Sequence, residues 1–147
     1  SSIEGASVDQ HLGIDEVFDV DGNAATNDTV GTLVYAPEAL TISEVGENET
    51  LGNFVRGVTT DGARYDFFHL DSQSVEVGDE VSVFSIIGQA GDTGVGNAHL
   101  HTAKSYPAGA VPSNIPEDDR IPYGNRVYVP PTRQEEIWKQ AVSENGE

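Results

Sequence analysis

All four histidines of this chain fall in three short motifs: HLGID (residues 11–15), YDFFHL (residues 65–70) and NAHLH (residues 97–101). Alternate side chains of a β-strand point to the same face, so His99 and His101 would project from one side toward one shared centre. Imidazole nitrogens are common metal ligands, and they also transfer protons near neutral pH. The pattern therefore predicts a metal site or an acid–base site.

A carboxylate accompanies the first histidine. His11 and Asp15 are separated by three residues that include Gly13, and a tight bend there would bring a nitrogen and an oxygen to one cation. Catalytic zinc commonly takes three such protein ligands at about 2.0 to 2.2 Å, with water in the fourth position. His11, Asp15 and either His99 or His101 form such a set, and the residues alone leave that choice open.

Taken singly, the histidines also fit less specific roles. His69 lies between Phe68 and Leu70, where a single histidine is more often a buried core residue than a catalyst. The chain has no cysteine, so any metal must be held by histidine and carboxylate groups. It lacks the HExxH motif of helix-borne zinc proteases. The five residues after His101 contain no Glu, so the cupin pattern fails as well.

Composition limits the class of protein and its partners. A length of 147 residues suits one domain, which we place at residues 11–147 after a small, polar lead-in at residues 1–10. Twenty-five acidic and seven basic residues give a net charge of -18, which would repel nucleic acid. No apolar run is long enough to span a membrane. The chain begins without Met, as expected for a mature or excised fragment.

Apolar runs of strand length dominate the chain, and we expect a mainly antiparallel β-sheet or sandwich. The runs lie at residues 33–36, 39–45, 54–58 and 64–70. Asp61-Gly62 predicts a hairpin turn between strands at residues 53–59 and 63–70. Six of the seven prolines fall within residues 106–131, which predicts a long loop containing a strand at residues 126–129.

The last residues carry the helical signal. Thr132 and Glu135 have the spacing of a capping box, so we expect a short terminal helix that begins after Thr132. Ile137, Trp138 and Ala141 would form its apolar stripe.

The order of the motifs adds a resemblance to a known family. HxxxD, YxxxHL, VxVGDxV, IGxxGxTG and HLH follow one another as in the lysostaphin-like (LytM-type) zinc metallopeptidases, which are similar to this chain mainly over residues 11–105. The resemblance implies the family's antiparallel β fold, the duplicated hybrid motif, with the site in a groove. It also implies that His11, Asp15 and His101 bind Zn²⁺, with the catalytic His69 and His99 beside the ion.

The resemblance further implies a zinc endopeptidase that hydrolyses peptide cross-links of bacterial peptidoglycan and is secreted or periplasmic. We expect a monomer. His99 would act as general base, and His69, protonated or donating, would stabilise the oxyanion; the two roles are interchangeable at this stage. The alternative functions are a non-catalytic regulatory or binding module of cell-wall hydrolases, and a phosphocarrier in which one of two adjacent histidines, His69 or His99, is phosphorylated.

Three further features are left open by the sequence. The acidic stretch at residues 16–30 is longer than the family usually has, and its Asp19, Asp21 and Asn23 only partly match a calcium loop. Glycines 88, 91, 94 and 96 around Thr93 would either approach the substrate or simply form turns. Tyr65 could offer a hydroxyl to the site, although packing on the sheet is the expected role.

Overall fold

The computed structural model describes residues 13–16, 29–94 and 99–144. Every strand pairing among them is antiparallel. The elements are β1 (Ile14–Glu16), β2 (Leu33–Tyr35), β3 (Leu40–Asn48), β4 (Gly52–Val58), β5 (Arg64–Gln73), β6 (Glu80–Val81), β7 (Ile86–Ala90), β8 (Leu100–Pro107), a 3-10 helix (Glu117–Asp119), β9 (Ile121–Tyr123), β10 (Arg126–Val129) and α1 (Gln134–Glu144). The predicted mainly antiparallel β fold with a terminal helix is confirmed.

The strands join in one sheet whose main path runs β6-β3-β4-β5-β8-β10-β9. The long strand β5 pairs with β8 through its first half and with β7 through its second half, and β2 pairs with β7. On its other edge, β8 pairs first with β1 and then with β10. The strands β1, β5 and β8 thus bring the histidine and aspartate motifs side by side.

One face of the sheet covers the main core. Apolar side chains from β2, β3, β4, β5, β7 and β8 meet in a single cluster, and Tyr65, Phe67, Leu70 and Leu100 in it are fully buried. A smaller cluster joins Tyr106 of β8 to β10 and to the loop that follows β8. Tyr65 therefore packs in the core, as the sheet-packing interpretation predicts, and its ring stacks on that of Phe67.

The hairpin of β4 and β5 lies where the sequence places it. The backbone N–H of Thr59 donates to the carbonyl of Ala63, and the N–H of Gly62 donates to the carbonyl of Thr59. Residues 60–62 therefore connect Thr59 to Ala63, as the predicted strand bounds require. Gly62 has φ +95°, which a glycine adopts without steric cost, so the Asp-Gly pair still explains the turn.

The C-terminal segment corrects one prediction. The predicted strand at residues 126–129 is confirmed as β10, which forms a hairpin with β9 inside the proline-rich segment. The helix begins at Gln134, and its cap comes from a residue far away in the chain. The buried carboxylate of Glu16 accepts from the N–H of Gln134 at 2.9 Å and from that of Glu135 at 3.2 Å. Glu16 thus takes the capping position that the sequence assigns to Thr132.

The apolar stripe predicted for the helix is described in part. Ile137 is buried, with 1% of its surface exposed, while the side chains of Trp138 and Ala141 lie outside the described part of the structure. The helix is held to β2 as well, because the side-chain amide of Gln134 exchanges two hydrogen bonds with the backbone of Tyr35. The helix therefore contacts both β1 and β2.

Candidate functional site

Asp15, His101 and Phe68 lie side by side on three neighbouring strands. In the register of the sheet, His101 on β8 is opposite Asp15 on β1 and opposite Phe68 on β5. Directly opposed residues of antiparallel strands share a face, so the three side chains project to the same side of the sheet. His99 precedes β8 by one residue and reaches the same place.

The nitrogens of two histidines approach one carboxylate oxygen. His101 Nδ1 lies 2.9 Å from Asp15 Oδ1, and His99 Nε2 lies 3.8 Å from the same oxygen. Two atoms that each bind one zinc ion at about 2.0 to 2.2 Å must lie within roughly 4.4 Å of each other. Both pairs satisfy this limit, so the distances are compatible with an ion shared between Asp15 and either histidine nitrogen.

The third predicted ligand, His11, lies outside the described residues. Within residues 13–16, 29–94 and 99–144, no three histidine or carboxylate side chains are grouped closely enough to hold an ion on their own. The donor set that the structure describes, one imidazole nitrogen and one carboxylate oxygen, is of the type that catalytic zinc binds. The described residues therefore fit the predicted cation.

His69 reaches the site because β5 is irregular at this point. Its pairing with β4 shifts register between the Asn53 and Val55 partners, and His69 itself has φ 66°. The buried apolar positions on β5 are accordingly 65, 67 and 70, which breaks the alternation of a regular strand. As a result, the adjacent side chains of Phe68 and His69 both lie on the side of the histidine site. A left-handed conformation costs a residue other than glycine about 1–3 kcal/mol, so the surrounding contacts must hold it.

The protonation state of His69 follows from its contacts. Its Nδ1 lies 2.9 Å from the carbonyl oxygen of Thr93. A carbonyl can only accept, so Nδ1 carries the proton and donates. Burial is the main cause that lowers the pKa of His69, and the nearby His99 acts in the same direction. The structure thus favours a neutral His69 whose Nε2 is an acceptor, rather than the protonated form considered from the sequence.

Ring contacts fix the orientation of the histidines. The rings of His69 and His99 meet edge to face with their centroids 4.8 Å apart. Phe68 stacks on His101 at 5.2 Å with 4° between the ring planes. The guanidinium of Arg56 in turn lies 5.6 Å from the ring centroid of Phe68. These contacts limit the rotation of the imidazoles, which a metal ligand or a proton acceptor requires.

Thr93 is a positioning residue whose role the sequence did not predict. Its carbonyl accepts from His69, and its hydroxyl donates to the carbonyl of Leu70 at 2.7 Å. The same hydroxyl accepts from the N–H of Asn53 at 3.0 Å. Thr93 thereby ties the loop after β7 to β4 and to the irregular part of β5. Only the glycines on either side of it indicated a special backbone here.

Those glycines pack against protein backbone. A Cβ on Gly88 would lie 2.2 Å from the carbonyl oxygen of Ser72, and one on Gly91 would lie 2.7 Å from the N–H nitrogen of Asp71. Gly94 similarly faces Gly52. Gly88, Gly91 and Gly94 thus have the turn-forming and packing role. Gly96 lies outside the described residues, as do Asp19, Asp21, Asn23 and Asp28 of the partial match to a calcium loop.

The fold and the site together define the class of protein: an antiparallel β domain with a histidine–aspartate centre on one face of its sheet. Residues 21–111 match the model of peptidase family M23, which is well over half of the chain. The chain therefore belongs to peptidase family M23. The matched range contains His69, His99 and His101, and it begins after Asp15. Peptidases of this family are generally zinc-dependent.

Solved structures agree with the family. The catalytic domain of the antimicrobial peptidase lysostaphin from Staphylococcus simulans is 31% identical with a TM-score of 0.55, covering 64% of this chain and 65% of that one. LytU is 30% identical with a TM-score of 0.54, covering 64% of this chain and 60% of that one. LytM from Ruminococcus gnavus, at 22% identity, shows the fold alone; its TM-score is 0.64, covering 96% of this chain and 51% of that one.

The chain therefore spans about two thirds or less of each of these three proteins. No curated protein matches the chain. Among the described residues, no helix has the length and apolar character needed to cross a membrane.

Proposed function

We propose that this chain is a zinc-dependent endopeptidase that hydrolyses peptide cross-links of bacterial peptidoglycan, and that it acts outside the cytoplasm. The observation that carries the proposal is the 2.9 Å contact between Asp15 and His101 with two further histidines beside it. Membership of a peptidase family and similarity to lysostaphin support it. Residues 11–147 would form the catalytic domain, acting as a monomer.

His101, Asp15 and His11 would hold the ion. His101 would offer Nδ1, the nitrogen that faces the carboxylate, and Asp15 would offer Oδ1. When bound, zinc lowers the pKa of a coordinated water toward about 7 and polarises a peptide carbonyl. Phe68 keeps the plane of the His101 ring fixed through its stacking contact, and the pairing of β1 with β8 keeps Asp15 opposite it.

The two remaining histidines would move the proton. Because Nδ1 of His69 donates to Thr93, its Nε2 is free to accept a proton from the attacking water. A proton taken there can pass to the leaving amine. His99 would then donate to the oxygen of the carbonyl under attack. The contacts of His69 thus favour the exchange of roles that the sequence left open.

Digestion of purified cell walls tests the proposal. Walls with glycyl bridges and walls with direct cross-links would be incubated with the protein, and the released fragments identified by mass spectrometry. We expect new amino termini at the cross-link of one wall type, no release in excess chelator, and recovery when zinc is restored. Cleavage that persists in excess chelator, or no cleavage of either wall, would contradict the proposal. A phosphate found on His69 or His99 would instead support the phosphocarrier function.

A further inference from the structure

Three arginines lie on the face of the sheet that carries the histidine site. Asp66 and Arg64 precede Phe68 on β5 at alternate positions, so they share its face of the sheet. They lie opposite Ala103 and Ser105 of β8. Arg56 on β4 is opposite Asp66, and Arg126 on β10 reaches Ser105 from the other side. We call Arg56, Arg64 and Arg126 the arginine face. It continues the sheet surface of Phe68 and His101 away from the histidines.

This concentration of positive charge is unusual for so acidic a chain. The whole sequence has seven basic residues and a net charge of -18, and three of the seven belong to the arginine face. Within it, Arg56 contacts Glu44 and Asp66 at 3.0 Å each, and Arg64 contacts the same Asp66 at 2.9 Å. Two carboxylates therefore face three guanidinium groups, which leaves one positive charge in excess.

Arg126 is the member without a carboxylate partner. Its Nε donates to the hydroxyl of Ser105 at 2.6 Å, and its Nη2 donates to the carbonyl of the same residue at 3.0 Å. No carboxylate of the described residues lies within 4.0 Å of its guanidinium. Burial and the neighbouring Arg64 guanidinium lower the pKa of Arg126, as expected where positive groups are close together.

A neighbouring hydroxyl completes the surroundings. The Nη2 of Arg64 lies 3.4 Å from the hydroxyl of Tyr128, which is opposite Ser105 on β10. Arg64 and Tyr128 are thus the residues opposite Ser105 on the two neighbouring strands, and Arg126 donates to Ser105 itself. Two guanidinium groups with a hydroxyl on the same face suit a carboxylate, because its oxygens accept charge-assisted hydrogen bonds.

We propose that Arg126, with Arg64 and Tyr128, forms a subsite that binds a carboxylate of the peptide substrate. The inference rests on the proposed function for the identity of the substrate as a wall peptide. Ser105 is four residues from His101 along β8, a distance of about 13 Å. An extended peptide covers roughly 3.3 to 3.6 Å per residue, so the bound carboxylate belongs about four residues from the scissile bond.

The charge of the rest of the molecule favours a single small anionic group over a polymer. A net charge of -18 repels polyanions such as phosphate-linked wall polymers before they reach the sheet. A peptide carries few charges, so this long-range repulsion is weak for it. The arginine face can then contribute at short range, where its one excess positive charge meets one carboxylate.

Binding of peptides with and without their carboxylates tests the subsite separately from hydrolysis. Uncross-linked stem peptides, either native or with their carboxylates converted to amides, would be titrated against the protein by calorimetry. We expect amidation to raise Kd about tenfold for the native protein, because a charge-assisted hydrogen bond is lost. In Arg126→Gln the same amidation should change Kd less than twofold. Arg126→Lys keeps the charge without the planar guanidinium group. Its change in Kd on amidation should fall between those of the native protein and Arg126→Gln.

The control variant is Lys139→Gln, which removes the same charge from the exposed face of α1 and should keep the full effect of amidation. Equal binding of both peptides by the native protein, or no binding of either, would overturn the subsite. An undiminished amidation effect in correctly folded Arg126→Gln would overturn the assignment to Arg126. Stronger competition by inorganic phosphate than by acetate would contradict the choice of a carboxylate. Carboxylate-dependent binding without cleavage of cross-linked fragments would refute the proposed activity and leave the subsite standing.

Discussion

Gly13 shows how closely single residues determine the site. Its position in the HLGID motif indicated a bend, and the structure adds the reason why a side chain does not fit. A Cβ there would lie 2.3 Å from the carbonyl oxygen of Thr102 and 3.0 Å from Nε2 of His101. Both neighbours belong to the start of β8, so the space next to β1 is filled by the strand that carries the proposed ligand.

Replacement of Gly13 by alanine should therefore disturb the metal centre. The added methyl group must push β1 away from β8, which we expect to cost about 1–3 kcal/mol and to separate Asp15 from His101. Zinc affinity, measured by competition with a chelating dye, should fall with the thermal midpoint. Gly109→Ala is the matched control, because a Cβ at Gly109 meets nothing within 4 Å. Unchanged zinc affinity in Gly13→Ala would contradict this account.

Thr93 should matter for turnover more than for metal binding. Thr93→Val removes a hydroxyl that accepts from the N–H of Asn53 and donates to the carbonyl of Leu70, which keeps its hydrogen bond from Asn53 Nδ2. The loss of these two contacts should cost about 1–3 kcal/mol. The irregular part of β5 then loosens, and His69 with it, while Asp15 and His101 are untouched. We expect kcat to fall with zinc content preserved. Thr41→Val, at an exposed position of β3, serves as the control. A loss of zinc from Thr93→Val in proportion to its loss of kcat would refute the positioning role of Thr93.

At the scale of elements, the strands were predictable and their irregularities were not. Alternating apolar residues and the Asp-Gly turn gave β4 and β5 nearly where they lie. The local pattern contains no signal for the left-handed conformation of His69, because tertiary contacts with Thr93 hold it. The capping of α1 by Glu16 could not be predicted either, since the two partners are 118 residues apart. Both surprises lie next to site residues.

Glu16 links the terminal helix to the strand that carries Asp15, and this link should depend on pH. Burial raises the pKa of Glu16, so the folded state binds the proton more readily than the unfolded chain. The contribution of Glu16 to the free energy of unfolding is therefore greatest below its ordinary pKa and declines as pH rises through the raised value. Glu16→Gln should lack this decline.

Urea unfolding at a series of pH values measures the effect as the difference between the native protein and Glu16→Gln. Glu47→Gln, at an exposed position on β3, should follow the native protein throughout. A difference that grows with rising pH would have the wrong sign and would contradict the role assigned to the buried carboxylate.

At the scale of the whole molecule, the net charge predicts that thermal stability depends on salt concentration. Like charges from a net -18 repel one another in the compact state, and salt screens them over about 10 Å at 0.1 M ionic strength. We expect Tm to rise as NaCl increases from low to molar concentration. A neutral osmolyte at equal osmolality separates screening from general exclusion effects. A fall in Tm with salt would show that attractive ion pairs, such as those of Arg56, outweigh the repulsion.

The proposed function of the whole molecule depends on residues from three separate motifs of the sequence. Their histidines were found from residue type and spacing, and the resemblance chose among the possible ligands. The structure brings Asp15, His69, His99 and His101 together, because β1, β5 and β8 are neighbours in the sheet. No spacing along the chain could give that neighbourhood, since these pairings join residues up to 86 positions apart.

The most direct test of the central claim measures zinc and turnover in the same samples. Zinc content by atomic emission and release of cell-wall fragments would be determined for the native protein, His101→Ala and His99→Ala. We predict near-stoichiometric zinc with activity in the native protein, loss of both in His101→Ala, and zinc without activity in His99→Ala. Full zinc occupancy in His101→Ala, together with its loss in His99→Ala, would contradict the proposed metal centre.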